Sequence, residues 1–78
     1  MTSLNKVKAQ KWCKIVKISQ EENEAVYRRF LELGFAVGEK VKIVSKSLLN
    51  KVFLLEIRGY LLSVRANLLE IVEVEVCR

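Results

Sequence analysis

Apolar and polar residues alternate in parts of this chain, other parts are apolar runs, and one stretch repeats apolar residues at helical spacing. Alternation is typical of strands with one buried face, whereas a period near 3.6 residues is typical of a helix packed on a core. Val26, Phe30 and Leu33 follow the helical spacing between Ser19 and Gly34. The alternating, β-branched or continuously apolar stretches, which predict five strands, are 12–18, 39–47, 52–58, 61–65 and 71–76.

Local signals mark both ends of the predicted helix. Ser19 followed by Glu22 is a capping box, in which each side chain accepts a hydrogen bond from the other residue's backbone N–H. Gly34 can adopt the left-handed conformation that ends a helix, with Phe35 folded back on Phe30. We therefore predict one helix that begins at the first signal and ends at the glycine.

The order of these elements indicates a small barrel. Gly59 and Tyr60 separate two apolar runs and predict a hairpin, and residues 66–70 suit a short helical turn before the last strand. Five short strands in 78 residues usually curl into a barrel, because closure removes exposed sheet edges. The fold class expected is therefore mainly β, with the helix between strands one and two covering one opening. With no proline and no linker, residues 1–78 are expected to form a single domain.

The net charge of +5 is concentrated near the N-terminus, where five lysines precede any acidic residue. Lysines spaced in this way favour a solvated edge strand, and a nucleic-acid-binding face is the alternative. The lysines are not interleaved with aromatic residues, as stacking platforms for bases would require. They are Lys6, Lys8, Lys11, Lys14 and Lys17.

Neither a signal peptide nor an apolar run near the roughly 20 residues of a membrane span is evident, so a cytoplasmic location is expected. In that reducing compartment, Cys13 and Cys77 are expected to be free thiols. The two cysteines are also too far apart in the sequence to form a metal-binding motif.

The residue types present argue against catalysis and against a resident metal. The chain has no histidine and no aspartate, which removes the commonest general base and the usual hydrolytic triads. Ferrous iron prefers imidazole and carboxylate ligands, and only glutamates and distant thiols are present. Glu21, Glu22 and Glu24 either hold a cation weakly or complement the helix dipole. We predict no enzyme activity, no catalytic or metal-binding residues and no cofactor.

Two glycine-anchored motifs resemble a known family. The string from Arg29 to Phe35, followed by Gly38-Glu39-Lys40-Val41, resembles the helix, glycine turn and second strand of the ferrous iron transport protein A (FeoA) family. Residues 59–65 and 68–74 are similar to the closing segment of that family. The resemblance covers residues 12–76. The chain departs from it at Val37, where the family usually has proline, and in the loop 48–51, which lacks the usual glycine or proline.

The resemblance implies an SH3-like barrel in the bacterial cytoplasm that binds FeoB, the membrane GTPase that transports ferrous iron. The membrane would then be reached only through this partner, and no small-molecule substrate is expected. Two alternatives stay open. One is a basic nucleic-acid-binding barrel, and the other is a stand-alone relative of the SH3-like domain of iron-dependent repressors.

Candidate contact residues are apolar or cationic side chains near the predicted hairpin and helix. Leu48 and Leu49 either complete the core or form an exposed contact surface, while Phe53 is expected in the core. A partner could also use three further residues. They are Tyr60, Arg28 and Arg29.

Overall fold

The computed structural model describes residues 1–20 and 24–77, and they form a mainly β fold with one α-helix, as predicted. The strands are β1 (Thr2–Ser3), β2 (Trp12–Ile18), β3 (Lys40–Lys46), β4 (Val52–Ile57), β5 (Tyr60–Arg65) and β6 (Val72–Val76), and the helix is α1 (Glu24–Glu32). Three 3-10 turns cover Leu4–Lys6, Leu48–Asn50 and Ala66–Ile71. The prediction missed β1, whose two residues are too few to show a period.

The strands form one antiparallel sheet in the order β1-β6-β2-β3-β4-β5. The register shifts between Ile15 and Lys17 in β2 and between Ile43 and Ser45 in β3. Bulges of this kind increase local bend and twist, which allows the sheet to curl into a barrel. Among the described residues, the end strands β1 and β5 are not paired with each other, and the turn Ala66–Ile71 contacts both.

One continuous core fills the curled sheet. It includes Phe53, as predicted, and Leu4, which follows the short strand β1. Val41 and Ile43, the alternating apolar residues of β3, are both fully buried. Val26, Leu33 and Leu62 pack against the core and remain partly exposed.

The prediction that the lysine-rich segment forms an edge strand is wrong, because β2 lies between β6 and β3. Cys13 and Ile15 face the core, whereas Lys14 and Lys17 are exposed on the opposite face. A strand with one solvated face carries lysines at the same spacing as a solvated edge strand. Sheet order depends on pairing between distant segments, which the spacing of residues within a strand does not report.

The helix ends as predicted. The Phe35 N–H donates to the Phe30 carbonyl at 2.9 Å, and the Gly34 N–H donates to the Leu31 carbonyl at 3.1 Å, the two bonds of a Schellman motif. The Phe30 and Phe35 rings are 4.8 Å apart between centroids. The predicted capping box includes Glu22, which is outside the described residues. Within the described ranges, no helix is long and apolar enough to span a bilayer.

The hairpin turn lies one residue earlier than predicted. Ile57 pairs with Tyr60, so the turn consists of Arg58 and Gly59, and Tyr60 begins β5. Both turn residues have positive φ, 52° and 83°, as a two-residue type I′ turn requires. Arginine seldom adopts this conformation, which explains the error.

Gly34 and Gly38 provide a matched pair for testing the turn between α1 and β3. Their φ angles are 98° and 97°, so alanine is strained equally at both positions and should cost about 1–2 kcal/mol of the free energy of unfolding. A Cβ at Gly34 would also lie 2.7 Å from Arg58 Cδ, whereas no heavy atom lies within 4 Å of one at Gly38. We expect Gly34→Ala to be the more destabilising substitution in urea unfolding.

The double variant Gly34→Ala/Arg58→Ala serves as the control. This variant removes the crowding at position 34. The loss of unfolding free energy caused by Gly34→Ala, measured relative to Arg58→Ala, should then equal the loss caused by Gly38→Ala. Equal losses of unfolding free energy for Gly34→Ala and Gly38→Ala would show that Arg58 does not crowd position 34.

Candidate partner-binding surfaces

Leu48 and Leu49 lie in the loop between β3 and β4 and are 92% and 76% exposed. The interpretation of these leucines as core residues is therefore wrong. Leu49 has a φ of 73°, which is unusual for a residue other than glycine. Ser47 Oγ accepts hydrogen bonds from the backbone N–H groups of Lys51 and Val52, at 3.2 and 2.9 Å, which close the loop.

Tyr60 is at the opposite end of the hairpin from these leucines. It pairs with Ile57, at the far end of β4 from Val52, which follows the leucine-containing loop. Tyr60 is 41% exposed, and its hydroxyl would be 3.4 Å from a Cβ placed at Gly34. The tyrosine therefore lies beside the end of α1, and the structure separates it from Leu48 and Leu49.

Arg28 and Arg29 are neighbours on α1 but differ in their surroundings. Arg28 forms an exposed i,i+4 ion pair with Glu24 at 2.8 Å. Such a pair contributes little to stability, but it occupies both side chains. Arg29 has no ion pair within the described residues, and it lines a groove between α1 and β5.

This groove, named here the α1–β5 groove, has a volume of about 460 Å³ and mostly apolar walls. The wall contributed by β5 consists of four consecutive residues, Leu62 to Arg65. Successive side chains of a strand point to opposite faces, so a groove lined by all four runs along the edge of the strand. Val26, Phe30, Leu33 and Leu68 line the remaining wall, and Arg29 and Arg65 are the charged residues of the groove.

The edge of β5 that borders this groove is open. Among the described residues, β5 pairs only with β4. In a two-residue hairpin, the residues next to the turn exchange both hydrogen bonds, and every second residue then directs its N–H and C=O away from the partner strand. Leu61, Ser63 and Arg65 are the residues that present these groups at the edge. The sequence pattern missed Leu62 and Arg65 as site residues, because an open edge follows from strand order.

The lysine-rich face of β2 has glutamates of β6 on one side and lysines of β3 on the other. Lys14 lies directly opposite Glu75, and Lys17 lies opposite Glu73. On the neighbouring strand, Lys42 forms an ion pair with Glu56 at 3.7 Å. A nucleic-acid surface needs an excess of cations, and the glutamates of β6 lie opposite Lys14 and Lys17 and offset their charge.

An open pocket of about 760 Å³ lies at the end of the barrel beside Trp12. The Lys42 ammonium is 5.1 Å from the Trp12 ring centroid, and the Arg58 guanidinium contacts Glu39 at 3.4 Å. Cys77 also lines the pocket. Of the cations that line this pocket, Lys11, Lys40 and Arg58, only Arg58 forms an ion pair within the described residues.

The thiols and carboxylates do not form a reactive centre in the described part of the chain. Burial, together with the nearby Cys77, raises the pKa of the Cys13 thiol, so this group is protonated and a poor nucleophile at neutral pH. Both cysteines are free. Within residues 1–20 and 24–77, no three cysteine or glutamate side chains are grouped as metal ligands would be. Of the acidic trio considered above, Glu24 pairs with Arg28, and Glu21 and Glu22 are outside the described residues.

A small curled sheet with an open apolar edge and exposed leucines has the features of a binding module, and solved structures support an SH3-like fold. A FeoA-like protein from Clostridium acetobutylicum has 28% identity and a TM-score of 0.86, covering 96% of this chain and 85% of that one. The FeoA protein of Chlorobium tepidum has 26% identity and a TM-score of 0.88, with coverages of 99% and 71%.

A third structure is that of Stenotrophomonas maltophilia FeoA complexed with zinc, described as an SH3 domain protein. It has 23% identity, a TM-score of 0.81 and coverages of 96% and 91%, and it supports the fold alone. No curated protein matches the chain. The FeoA domain profile matches residues 2–76. The chain therefore belongs to the FeoA domain family.

Proposed function

We propose that this protein is a small cytoplasmic accessory protein of ferrous iron transport that binds the FeoB-type membrane GTPase. The observation that carries the proposal is the α1–β5 groove, an open sheet edge with apolar walls in a chain of the FeoA family. The Stenotrophomonas maltophilia relative is described as possibly acting as a ferrous iron transport activating factor. In this function the chain catalyses no step and has no cofactor or small-molecule substrate, and iron is the cargo of the partner.

The groove is suited to an extended segment of the transporter. A strand added beside β5 would bond to the outward N–H and C=O groups of Leu61 and Ser63 and seat alternate apolar side chains against Leu62 and Leu68. Arg29 and Arg65 would meet carboxylates of that segment. This mode of binding uses backbone groups for affinity and the groove for specificity.

The contact residues predicted from the sequence divide between two surfaces under this proposal. Arg29, which lines the groove, and Tyr60, at the start of β5, would belong to the transporter-binding surface. Arg28 would join it if the ion pair with Glu24 opens. Leu48 and Leu49 form a second surface, at the other end of β4.

Co-purification with a full-length FeoB-type transporter of the same organism tests the proposal. We expect the detergent-solubilised transporter to retain the protein, and an unrelated membrane protein of similar size to fail to do so. If the transporter does not retain it in any nucleotide state, the proposed function is wrong.

Single-stranded RNA provides a test of the nucleic-acid alternative. Because Glu75 and Glu73 lie opposite Lys14 and Lys17 in the sheet and offset the charge of β2, we expect no binding even at low salt. Salt-sensitive binding to RNA would instead favour this alternative. A repressor-domain relative would be recognised by retention on a regulator in place of the transporter.

A further inference from the structure

The loop of residues 47–51, named here the leucine loop, presents two adjacent apolar side chains to solvent. Leu48, at 92% exposure, is more exposed than any other large apolar residue described. Leu49 follows it at 76%, and Val52, 40% exposed, begins the next strand. Single exposed apolar residues are common on protein surfaces, but an adjacent pair at a protruding tip marks an interaction site.

Backbone hydrogen bonds fix the leucines in this exposed position. The Ser47 N–H donates to the Val52 carbonyl at 2.8 Å, and the Asn50 N–H donates to the Ser47 carbonyl at 2.8 Å. Together with the two bonds to Ser47 Oγ, they hold Leu49 in its left-handed conformation. A loop that is already ordered loses little conformational entropy when it binds.

Cations flank the leucines on both sides, and they have no acidic partner. Lys46 precedes the loop and Lys51 ends it, while Arg65 lies directly opposite Val52 on β5. Within the described residues, none of these three cations forms an ion pair. The sequence has no acidic residue between Glu39 and Glu56. This end of the molecule therefore keeps its positive charge, whereas on β2 glutamates lie opposite Lys14 and Lys17.

We propose that the leucine loop binds the surface of a bilayer that contains anionic lipids. Leu48 and Leu49 would enter the boundary between headgroups and acyl chains, and Lys46 and Lys51 would contact lipid phosphates. A pocket on a protein fits these observations less well, because a stable protein interface has a broad apolar centre. Here the polar or charged residues Lys46, Ser47, Asn50 and Lys51 surround two leucines.

This lipid contact goes beyond the proposed function and does not depend on it. Two leucines and two lysines bind a membrane weakly, and stable peripheral attachment needs a second contact. A membrane partner held at the α1–β5 groove would supply that contact. The two weak contacts then reinforce each other, because the first raises the effective concentration for the second.

Vesicle co-sedimentation tests the proposal with the full chain alone. We expect binding to phosphatidylcholine vesicles containing phosphatidylglycerol, and much weaker binding to phosphatidylcholine alone. Leu48→Ser/Leu49→Ser should lower the partition coefficient about tenfold, because it removes the inserting side chains. Leu31→Ser/Val37→Ser is the matched control, since both residues are exposed, at 44% and 67%, away from the loop. It should bind like the parent protein.

Two further variants separate insertion from simple charge attraction. Lys46→Gln/Lys51→Gln should remove most of the dependence on phosphatidylglycerol. In a Trp12→Phe background, the fluorescence of Leu48→Trp should be quenched by brominated acyl chains, whereas Trp12 of the parent should not be. Circular dichroism and urea unfolding should show that every variant is folded.

Unchanged vesicle binding by the double serine variant would overturn the proposal, as would absence of binding to vesicles containing phosphatidylglycerol. If the serine variant loses retention by the detergent-solubilised transporter while the parent does not bind vesicles, the loop contacts protein instead. If only the proposal of transporter binding is wrong, the protein should still bind vesicles that contain phosphatidylglycerol.

Discussion

Phe35→Ala is expected to lower the free energy of unfolding by about 3–5 kcal/mol, the range for deleting a buried phenylalanine ring. Phe35 is fully buried, and its ring packs on Phe30 with 4.8 Å between centroids. Domains of this size have total stabilities of roughly 4–12 kcal/mol, so the loss would leave the variant marginal or unfolded.

The cost of Phe35→Ala is large for two structural reasons. Phe35 closes the Schellman motif through its N–H and also fills the core beneath α1, so its side chain couples the helix end to the sheet. The cavity left by alanine would be bordered by Phe30, which cannot follow without moving the helix. Urea unfolding monitored by the fluorescence of Trp12, which lies on β2, reports on the whole sheet.

Leu31→Ala is the matched control for this substitution. Leu31 is 44% exposed and lies on the same helix, so its loss should change the free energy of unfolding by no more than about 1 kcal/mol. If Phe35→Ala and Leu31→Ala lower the free energy of unfolding by similar amounts, the end of the helix does not depend on the phenylalanine ring.

The same helix end shows which features the sequence could predict. The apolar repeat, Gly34 and Phe35 all lie within a few residues of one another, and the Schellman motif depends on those residues alone. Strands β2 to β6 were found for the same reason, since alternation or an apolar run is visible inside each segment. The FeoA-like motifs added the SH3-like fold, which the structure and the family match support.

Features that depend on pairing between distant segments could not be predicted. Strand β1 has two residues and exists because it pairs with β6, and β2 is central because two strands that are remote in sequence flank it. The open edge of β5 follows from the same strand order. For this reason Leu62 and Arg65 were not recognised as groove residues.

Conformations that run against residue preference were also missed. Leu49 and Arg58 both have positive φ, at 73° and 52°. A pattern of residue types favours glycine or asparagine at such positions, so it placed the hairpin turn at Gly59 and Tyr60. The pattern also left open whether Leu48 and Leu49 were buried, because two adjacent apolar residues are too few to show a periodicity.

Reversing the two groove arginines, Arg29→Glu/Arg65→Glu, is expected to weaken retention by the full-length transporter about 100-fold, because both charges would repel the carboxylates they are proposed to meet. Lys8→Glu/Lys40→Glu is the matched control, since it makes the same change in net charge at two exposed residues outside the groove. It should be retained like the parent protein.

Proline at the sheet edge tests whether the partner binds as an added strand. The Ser63 N–H points away from β4, so Ser63→Pro should remove an edge donor and leave the hydrogen bonds between β4 and β5 in place. Leu62→Pro would instead remove a bond within the hairpin and should destabilise the fold. Weaker retention of a folded Ser63→Pro variant supports strand addition. If the arginine and proline variants are both retained like the parent, the transporter contacts another surface, and the groove does not mediate binding.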